Sequence, residues 1–393
     1  MRQLKPNVYA VGAIDWDARL FDRLIPLPDG TSYNSYLIRA SQKTALLDTV
    51  DPAKTDVLLG HLVTVGVDKI DYIIAHHAEQ DHSGSLSDVL LIYPDAKVVT
   101  NPKCKQMLID LLGIEDDKFI TVDDGQELSL GDKTLRFIYT PWVHWPETMS
   151  TYVPEDQILF SCDFFGSHLA TNSLFVDNDA AAYESAKRYY AEIMMPFRKQ
   201  INSNLAKISN LDIEMIAPSH GPVYNKPELV VDAYKDWASD AVRNEVVVAY
   251  VSMHGSTAKM VSHFVEALTE RDIKVKQFEL TTVDIGKLAM ALVDAATVVI
   301  GSPTVLAGPH PCAAYAAFLA NTLRPKTRFA SIISSYGWAG KTVEQLTALM
   351  SNLKVQFLEP VIAKGEPKET DYVALDRLAD DILAKHKEAG IAN

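Results

Sequence analysis

Tyr72-Ile73-Ile74-Ala75-His76-His77-Ala78-Glu79-Gln80-Asp81-His82-Ser83-Gly84 decides how this chain is read. An apolar, β-branched run of the kind that forms a buried strand ends abruptly in imidazoles and carboxylates. A sheet fixes the backbone at a strand end while the side chains project into a crevice, a usual place for chemistry. In an extended segment, residues two apart face the same way, so His77, Glu79 and Asp81 are expected to converge. His82 is expected to open the following helix and turn toward the same space, with His76 on the opposite face. Mixed nitrogen and oxygen donors at this spacing point to a metal site.

One loop cannot close a site for two ions. Three further candidates each follow an apolar run. His144 lies in Pro141-Trp142-Val143-His144-Trp145-Pro146, after the strand-like residues 134–139. Asp163 follows residues 157–160. His220 lies in Pro218-Ser219-His220-Gly221-Pro222, after Met215-Ile216-Ala217. A carboxylate has two oxygens, so Asp163, isolated between the two halves of the set, is the expected bridge between ions. His168 and Cys162, near Asp163, read as packing. Asp48, in Leu46-Leu47-Asp48-Thr49, reads equally as an orienting partner of a ligand or as a turn cap.

Outward from this loop, the first half carries further strand-like runs at residues 35–38, 44–48 and 96–100, with helical periodicity at 55–65, 102–112 and 180–195. Adjacent strands mixed with helices predict sheets covered by helices. The second half changes rhythm. Strands near 245–251, 274–280, 297–300, 329–334 and 355–361 alternate with helices, the last at about 372–387 with a frayed tail after Lys385. Strict alternation predicts an open parallel sheet with helices on both faces. The seam lies near residue 240, which sets domains at 1–243 and 244–393.

The second half has its own chemistry. Its first strand runs into Ser252-Met253-His254-Gly255-Ser256-Thr257 and then a helix. Hydroxyls and backbone N–H groups at a helix N-terminus cradle an anion. The loop lacks the Lys of a nucleotide P-loop and the three-glycine dinucleotide fingerprint, which favours a mononucleotide, FMN. Two later loops fall at strand ends where the ring should lie. They are Gly301-Ser302-Pro303-Thr304-Val305-Leu306-Ala307-Gly308 and Ser334-Ser335-Tyr336-Gly337-Trp338-Ala339-Gly340. Tyr336 or Trp338 can flank a flat ring.

Bulk properties set limits. The chain has 393 residues, 48% of them hydrophobic, enough for more than one core, and a net charge of −14 that disfavours nucleic-acid partners. Its Cys104, Cys162 and Cys312 form no Cys-x-x-Cys pair, so no rubredoxin-like or ferredoxin-like iron site is expected on the chain. No run resembles a signal peptide or a membrane span. A cytoplasmic protein without membrane or nucleic-acid partners is expected.

The metal loop resembles that of the metallo-β-lactamase superfamily, whose common zinc form reads His-x-His-x-Asp-His. Glu79 stands where the second histidine would be. An anionic oxygen in place of an imidazole makes the site harder, which suits iron better than zinc. Taken whole, the chain resembles the flavodiiron proteins, also called A-type flavoproteins. Val11-Gly12-Ala13-Ile14-Asp15-Trp16 and Gly30-Thr31-Ser32-Tyr33-Asn34 share in that likeness. The resemblance implies an N-terminal metallo-β-lactamase-like αββα sandwich followed by a C-terminal flavodoxin-like doubly wound parallel sheet, α+β and α/β in class. It implies a diiron centre with one iron on His77, Glu79 and His144, the other on Asp81, His82 and His220, and Asp163 bridging. In some members the residue matching His82 swings away. It also implies FMN and reduction of dioxygen to water or of nitric oxide to nitrous oxide. The electrons would come from a separate donor such as rubredoxin or a reduced deazaflavin. A head-to-tail homodimer, or a dimer of dimers, is implied too, with Trp145 a candidate for its junction. His254 stands where relatives often have Trp or Tyr, and Val305-Leu306-Ala307 where they usually show two asparagines. The competing readings are a metal-dependent hydrolase with an accessory flavodoxin-like domain, and a pure electron carrier.

Overall fold

The computed structural model describes residues 2–392. The chain divides into two compact units. One holds the residues up to Tyr190 together with Phe197–Ala238; the other holds Ala191–Pro196 together with the residues from Ser239 onward.

The first unit is built on two sheets. One runs in the order Arg2–Lys5, Val8–Ala10, Tyr36–Arg39, Thr44–Leu47, Tyr72–Ile74, Lys97–Thr100, Phe119–Thr121. The other runs Glu127–Ser129, Thr134–Tyr139, Met149–Val153, Ile158–Cys162, Met215–Pro218. The period-two alternation of each strand decides the layers. Ile38, Leu47, Ile74 and Val99 share one core with Phe137, Val153, Phe160 and Ala217 of the second sheet. Their neighbours Leu37, Leu46, Ile73 and Val98 pack with Leu58, Leu62 and Leu108 of the helices Thr55–Val65 and Pro102–Leu112. Strands buried on both faces read as continuous apolar runs, which is why they were visible in the sequence. The helices Asp179–Tyr189, Arg198–Ile208 and Glu228–Ala238 pack together, with Trp237 Nε1 donating to the Tyr183 hydroxyl at 3.2 Å. Asn204 Nδ2 reaches Pro141 O at 3.1 Å and so ties this layer to the loop that carries His144. The αββα sandwich is the expected fold.

Met149–Val153 was not expected as a strand. Met-Ser-Thr-Tyr-Val looks half polar, yet every residue is buried. Its hydroxyls are satisfied inside: Ser150 Oγ meets Thr140 Oγ1 at 3.3 Å, and Thr151 Oγ1 meets His76 Nε2 at 2.7 Å. Its antiparallel register with Thr134–Tyr139 pairs Tyr139 with Met149, so the intervening His144 loop is held at the sheet end.

The second unit is an all-parallel main sheet in the order Lys274–Glu279, Arg243–Tyr250, Ala295–Val305, Phe329–Tyr336, with Gln356–Phe357 and Val361–Lys364 beside the last. Val247, Ala249, Val298 and Ile332 pack with Leu288, Ala317 and Leu346 on one face. Val246, Val248, Val299 and Ile333 pack with Phe264, Leu375 and Ile382 on the other. Chain order reverses between Arg243–Tyr250 and Ala295–Val305, which opens a crevice at their carboxyl ends. This is the flavodoxin-like arrangement. The single strand expected over 355–361 is two short pieces, because Pro360 has no N–H to give to a ladder.

The frayed tail expected after Lys385 is overturned. The helix runs Glu369–Glu388, and Ile391 N still donates to His386 O at 2.8 Å. The anchor is His386, fully buried, with Nδ1 donating to Asn244 Oδ1 and Nε2 meeting Thr297 Oγ1, both at 2.7 Å. Burial pushes this imidazole down to about 4. The unfolded chain therefore takes up a proton near pH 6.5 that the folded chain refuses, and stability is lost as pH falls from there toward 4. The loss is about 2 kcal/mol. Hydrogen exchange of the strand Arg243–Tyr250 at pH 7 and pH 5 should show it. His386→Asn, which keeps a donor toward Asn244 and cannot ionise, should flatten it.

Among the described residues no helix is long and apolar enough to cross a membrane.

Candidate metal centre

The strand Tyr72–Ile74 hands over to a loop pinned from below. Asp48 accepts from His76 N at 2.9 Å and from His76 Nδ1 at 2.7 Å. His76 thus points away from the donors, as expected, and Asp48 acts as the loop's orienting partner. The extended conformation lasts only as far as Glu79. Gln80–Ser83 is a single helical turn with Glu79 as its N-cap residue, so Asp81 and His82 are presented by a helix, not by alternation along an extended chain. The turn is drawn in because His82 O accepts from both Thr49 N and Thr49 Oγ1 at 2.7 Å. Gly84 allows it, since a Cβ there would lie 2.4 Å from Gln80 O and 2.6 Å from Pro52 Cγ.

The fold gathers the scattered donors into two adjoining groups. His77, Glu79, His144 and Asp163 bring their ligand atoms within 4.8 Å of one another, and so do Asp81, His82 and His220. Glu79 Oε2 lies 3.1 Å from His77 Nε2 and 3.0 Å from His144 Nε2. Asp81 lies 3.2 Å from His82 Nε2 through Oδ1, and 3.2 Å from His220 Nε2 through Oδ2. Asp163 divides itself between the groups. Its Oδ2 faces His77 and His144 at 3.5 and 3.4 Å, and its Oδ1 faces His82 and His220 at 3.1 and 3.4 Å.

The protons show what this arrangement lacks. His77 Nδ1 donates to Glu147 Oε1 at 2.6 Å, and His220 Nδ1 donates to Ser32 O at 2.6 Å. In the neutral tautomers so defined, both Nε2 atoms carry lone pairs aimed at carboxylate oxygens. Both oxygens of Asp81, both of Asp163 and Nε2 of His82 are buried without a hydrogen-bond partner among the described residues. Buried carboxylates left like this are strongly unfavourable unless cations lie between them and the imidazoles. Protons can serve. Burial alone would lower the imidazoles, but the carboxylates of Asp163 and Glu79 outweigh it and raise His144 to about 9, and Asp163 and Asp81 raise His220 to about 10. Divalent metal ions would serve better, since one ion satisfies several donors at once. The donor set fits a metal pair.

Cys162 also has its sulfur near His82 and Asp163. Burial holds its thiol well above the usual range, so it is neutral and packs as a small apolar group. His168 is fully enclosed, with Nδ1 against Thr31 Oγ1 at 2.9 Å and its ring centroid 4.9 Å from that of His220. Trp145 and His77 stand edge to face, centroids 4.9 Å apart, and Trp145 helps line an open cavity with Phe21, Asp22, Tyr33, Glu79 and Asp81. Asp22 at that mouth is raised by burial and by the charges of Glu79 and Asp81. Sequence reading missed Glu147, which also accepts from Ala78 N at 3.1 Å. Its one signal was a carboxylate in the same loop as His144.

In the second unit an open cavity is lined by Ser252, Met253, His254, Ser256, Thr257, Pro303, Thr304, Ser335, Tyr336 and Gly337, joined by Gly365, which sequence reading did not name. Gly255, at φ +92°, turns the chain into the helix Ser256–Thr269, whose first N–H groups have no intrahelical acceptor. Gly340 lines an adjoining cavity with Thr304 and Tyr336. Leu306 and Ala307 are the two-residue turn of the hairpin that pairs Val305 with Gly308, both at positive φ, which leaves Leu306 94% exposed in this unit. Trp338 is exposed as well.

A family model described as ODP family beta lactamase matches residues 31–221. A nitric oxide reductase of Moorella thermoacetica is 35% identical, over 90% of this chain and 90% of its own. The flavodiiron protein of Giardia intestinalis superposes with a TM-score of 0.93 at 29% identity, covering 100% of this chain and 98% of its own. The chain belongs to the flavodiiron protein family. The rubredoxin oxygen:oxidoreductase of Desulfovibrio gigas superposes with a TM-score of 0.94 at 29% identity over 98% of both chains. A flavodiiron fold over the whole length accounts for both halves of the sequence pattern, the metallo-β-lactamase-like and the flavodoxin-like.

Proposed function

We propose that this protein is an oxidoreductase that reduces dioxygen to water, nitric oxide to nitrous oxide, or both, at a non-haem diiron site fed through FMN. The observation that carries the reading is Asp163, whose two oxygens each face a different group of imidazoles. On this reading residues 1–243 form the diiron domain and 244–393 the FMN-binding domain. His77, Glu79 and His144 hold one iron, Asp81, His82 and His220 the other, and Asp163 lies between. The phosphate of FMN sits on residues 252–257, with the loops at 303–308 and 335–340 about its ring. When bound, the iron pair can supply two electrons and reduced FMN two more, which matches the four that dioxygen needs and the two that a pair of nitric oxide molecules needs.

The chain's own residues do the positioning. Glu147 and Ser32 hold the protons of His77 and His220 on Nδ1, which leaves Nε2 of each free to ligate. Glu79 supplies a hard oxygen where a zinc site would use nitrogen. Phe21, Tyr33 and Trp145 line the cavity in front of Glu79 and Asp81. Reducing equivalents come from a separate donor, rubredoxin or a reduced deazaflavin. The working assembly is a head-to-tail homodimer or a dimer of such dimers.

The test is anaerobic reduction of the purified protein followed by parallel turnover with dioxygen and with nitric oxide, alongside iron and flavin analysis. Iron, flavin and consumption of either gas well above a flavin-only control support the reading. Zinc without flavin, and hydrolytic activity instead, would replace it. Glu147→Gln tests the positioning directly. The amide can accept from Nδ1 but removes the buried charge that orients His77, and metal affinity should fall about 10- to 100-fold with the fold intact. Competitive chelator titration reads that change.

A further inference from the structure

The phosphate cradle is built almost wholly from neutral groups. Among the described residues lining its cavity there is no Lys, Arg, Asp or Glu. Hydroxyls of Ser252, Ser256 and Thr257 and the start of the helix Ser256–Thr269 supply the donors. The exception is His254, whose solvent-exposed side chain lines the same cavity one residue before the turn at Gly255. Other charged groups stand around the cavity without lining it. Lys259, in the same helix, is paired with Glu366, which follows the lining residue Gly365. Lys364 precedes that glycine on the neighbouring strand, Tyr336 lines the cavity, and Glu344 lines the adjoining one. The Lys259–Glu366 pair leaves no net charge, and His254 is the one imidazole among the described residues lining the cradle, histidine being the side-chain type whose charge changes near neutral pH.

We propose that His254 is a pH-dependent clamp on the flavin phosphate, its imidazolium pairing with the phosphate dianion. The inference rests on the flavin assignment made above. A phosphate monoester loses its second proton near pH 6 and an imidazole its proton near 6.5. Pairing favours the charged form of each, which widens the window in which both are ionised around those values. Within it, a charge-assisted hydrogen bond replaces a neutral one. Above it, the imidazole is one more neutral donor and adds little. Holding FMN would thus become tighter, relative to a side chain that cannot ionise, as the medium acidifies from pH 8 to pH 6.

The experiment compares wild type with His254→Gln, whose amide keeps a neutral donor. Flavin is removed, and binding of FMN and of riboflavin, which lacks the phosphate, is titrated by fluorescence quenching at pH 8 and pH 6 in low and high salt. The expected ratio of variant to wild-type Kd for FMN is below about 2 at pH 8 and about 10 at pH 6, and it shrinks in high salt. Riboflavin should show no such rise. Dividing by the variant cancels the titration of the phosphate itself. A ratio that stays flat for FMN, or that rises equally for riboflavin, overturns the clamp. Failure of both proteins to bind either flavin at any pH overturns the flavin assignment as well.

Discussion

Asp163→Asn is expected to leave a folded protein that holds at most one metal ion tightly and turns over either gas more than about 100-fold slower, a loss beyond that typical of residues behind the ligands. The side chain is fully enclosed and the substitution nearly isosteric, so packing is preserved. What changes is charge and denticity. One oxygen becomes an amide N–H that can no longer face a cation, and the remaining oxygen loses its negative charge. Each of the two donor groups depends on one of those oxygens. Metal analysis, steady-state turnover and a thermal melt together separate this from unfolding. A related result concerns protons. His144 at about 9 and His220 at about 10 hold protons at neutral pH in the metal-free protein. Metal must displace them, so uptake should release protons, and affinity should rise as pH rises toward those values. In Asp163→Asn both imidazoles lose a carboxylate neighbour and the release should shrink.

Ser256→Glu is expected to lower FMN affinity by more than about 100-fold while leaving riboflavin binding much less affected. Ser256 is the first residue of its helix and lines the proposed phosphate cradle. A carboxylate there sets like charge against the phosphate at short range. An acidic residue in the first turn favours the helix itself, by about 0.3–1 kcal/mol. Lost flavin with an unchanged or raised melting temperature therefore points to electrostatic exclusion and not to a damaged fold. Equal losses for both flavins would mean that the loop does not hold the phosphate.

Much of this protein is legible from composition and spacing. The alternation after residue 240 shows because each strand there is buried on both faces and each helix on one. The donor pattern shows because such residues seldom crowd a strand end. Elsewhere local signals mislead. Ser150 and Thr151 make Met149–Val153 look like a loop, and only cross-strand partners for their hydroxyls make it a strand. Asp81 looks like a member of an extended loop, and only Thr49, more than thirty residues away in sequence, draws it into the turn that His82 was expected to open. The pairing of Val305 with Gly308, which makes Leu306 and Ala307 the turn of a hairpin, has no local signal either.

From the order of its residues alone this chain carries the list of candidate metal donors, the presence of two differently built halves and the layering of their strands. These depend on residue type and periodicity, which are local. Tertiary structure alone decides that Asp163 stands between two groups of imidazoles, and that Glu147 and Ser32 choose which nitrogen of His77 and His220 is offered. Those are matters of distances between segments far apart in sequence, set by how two sheets close on each other, and no local pattern encodes them.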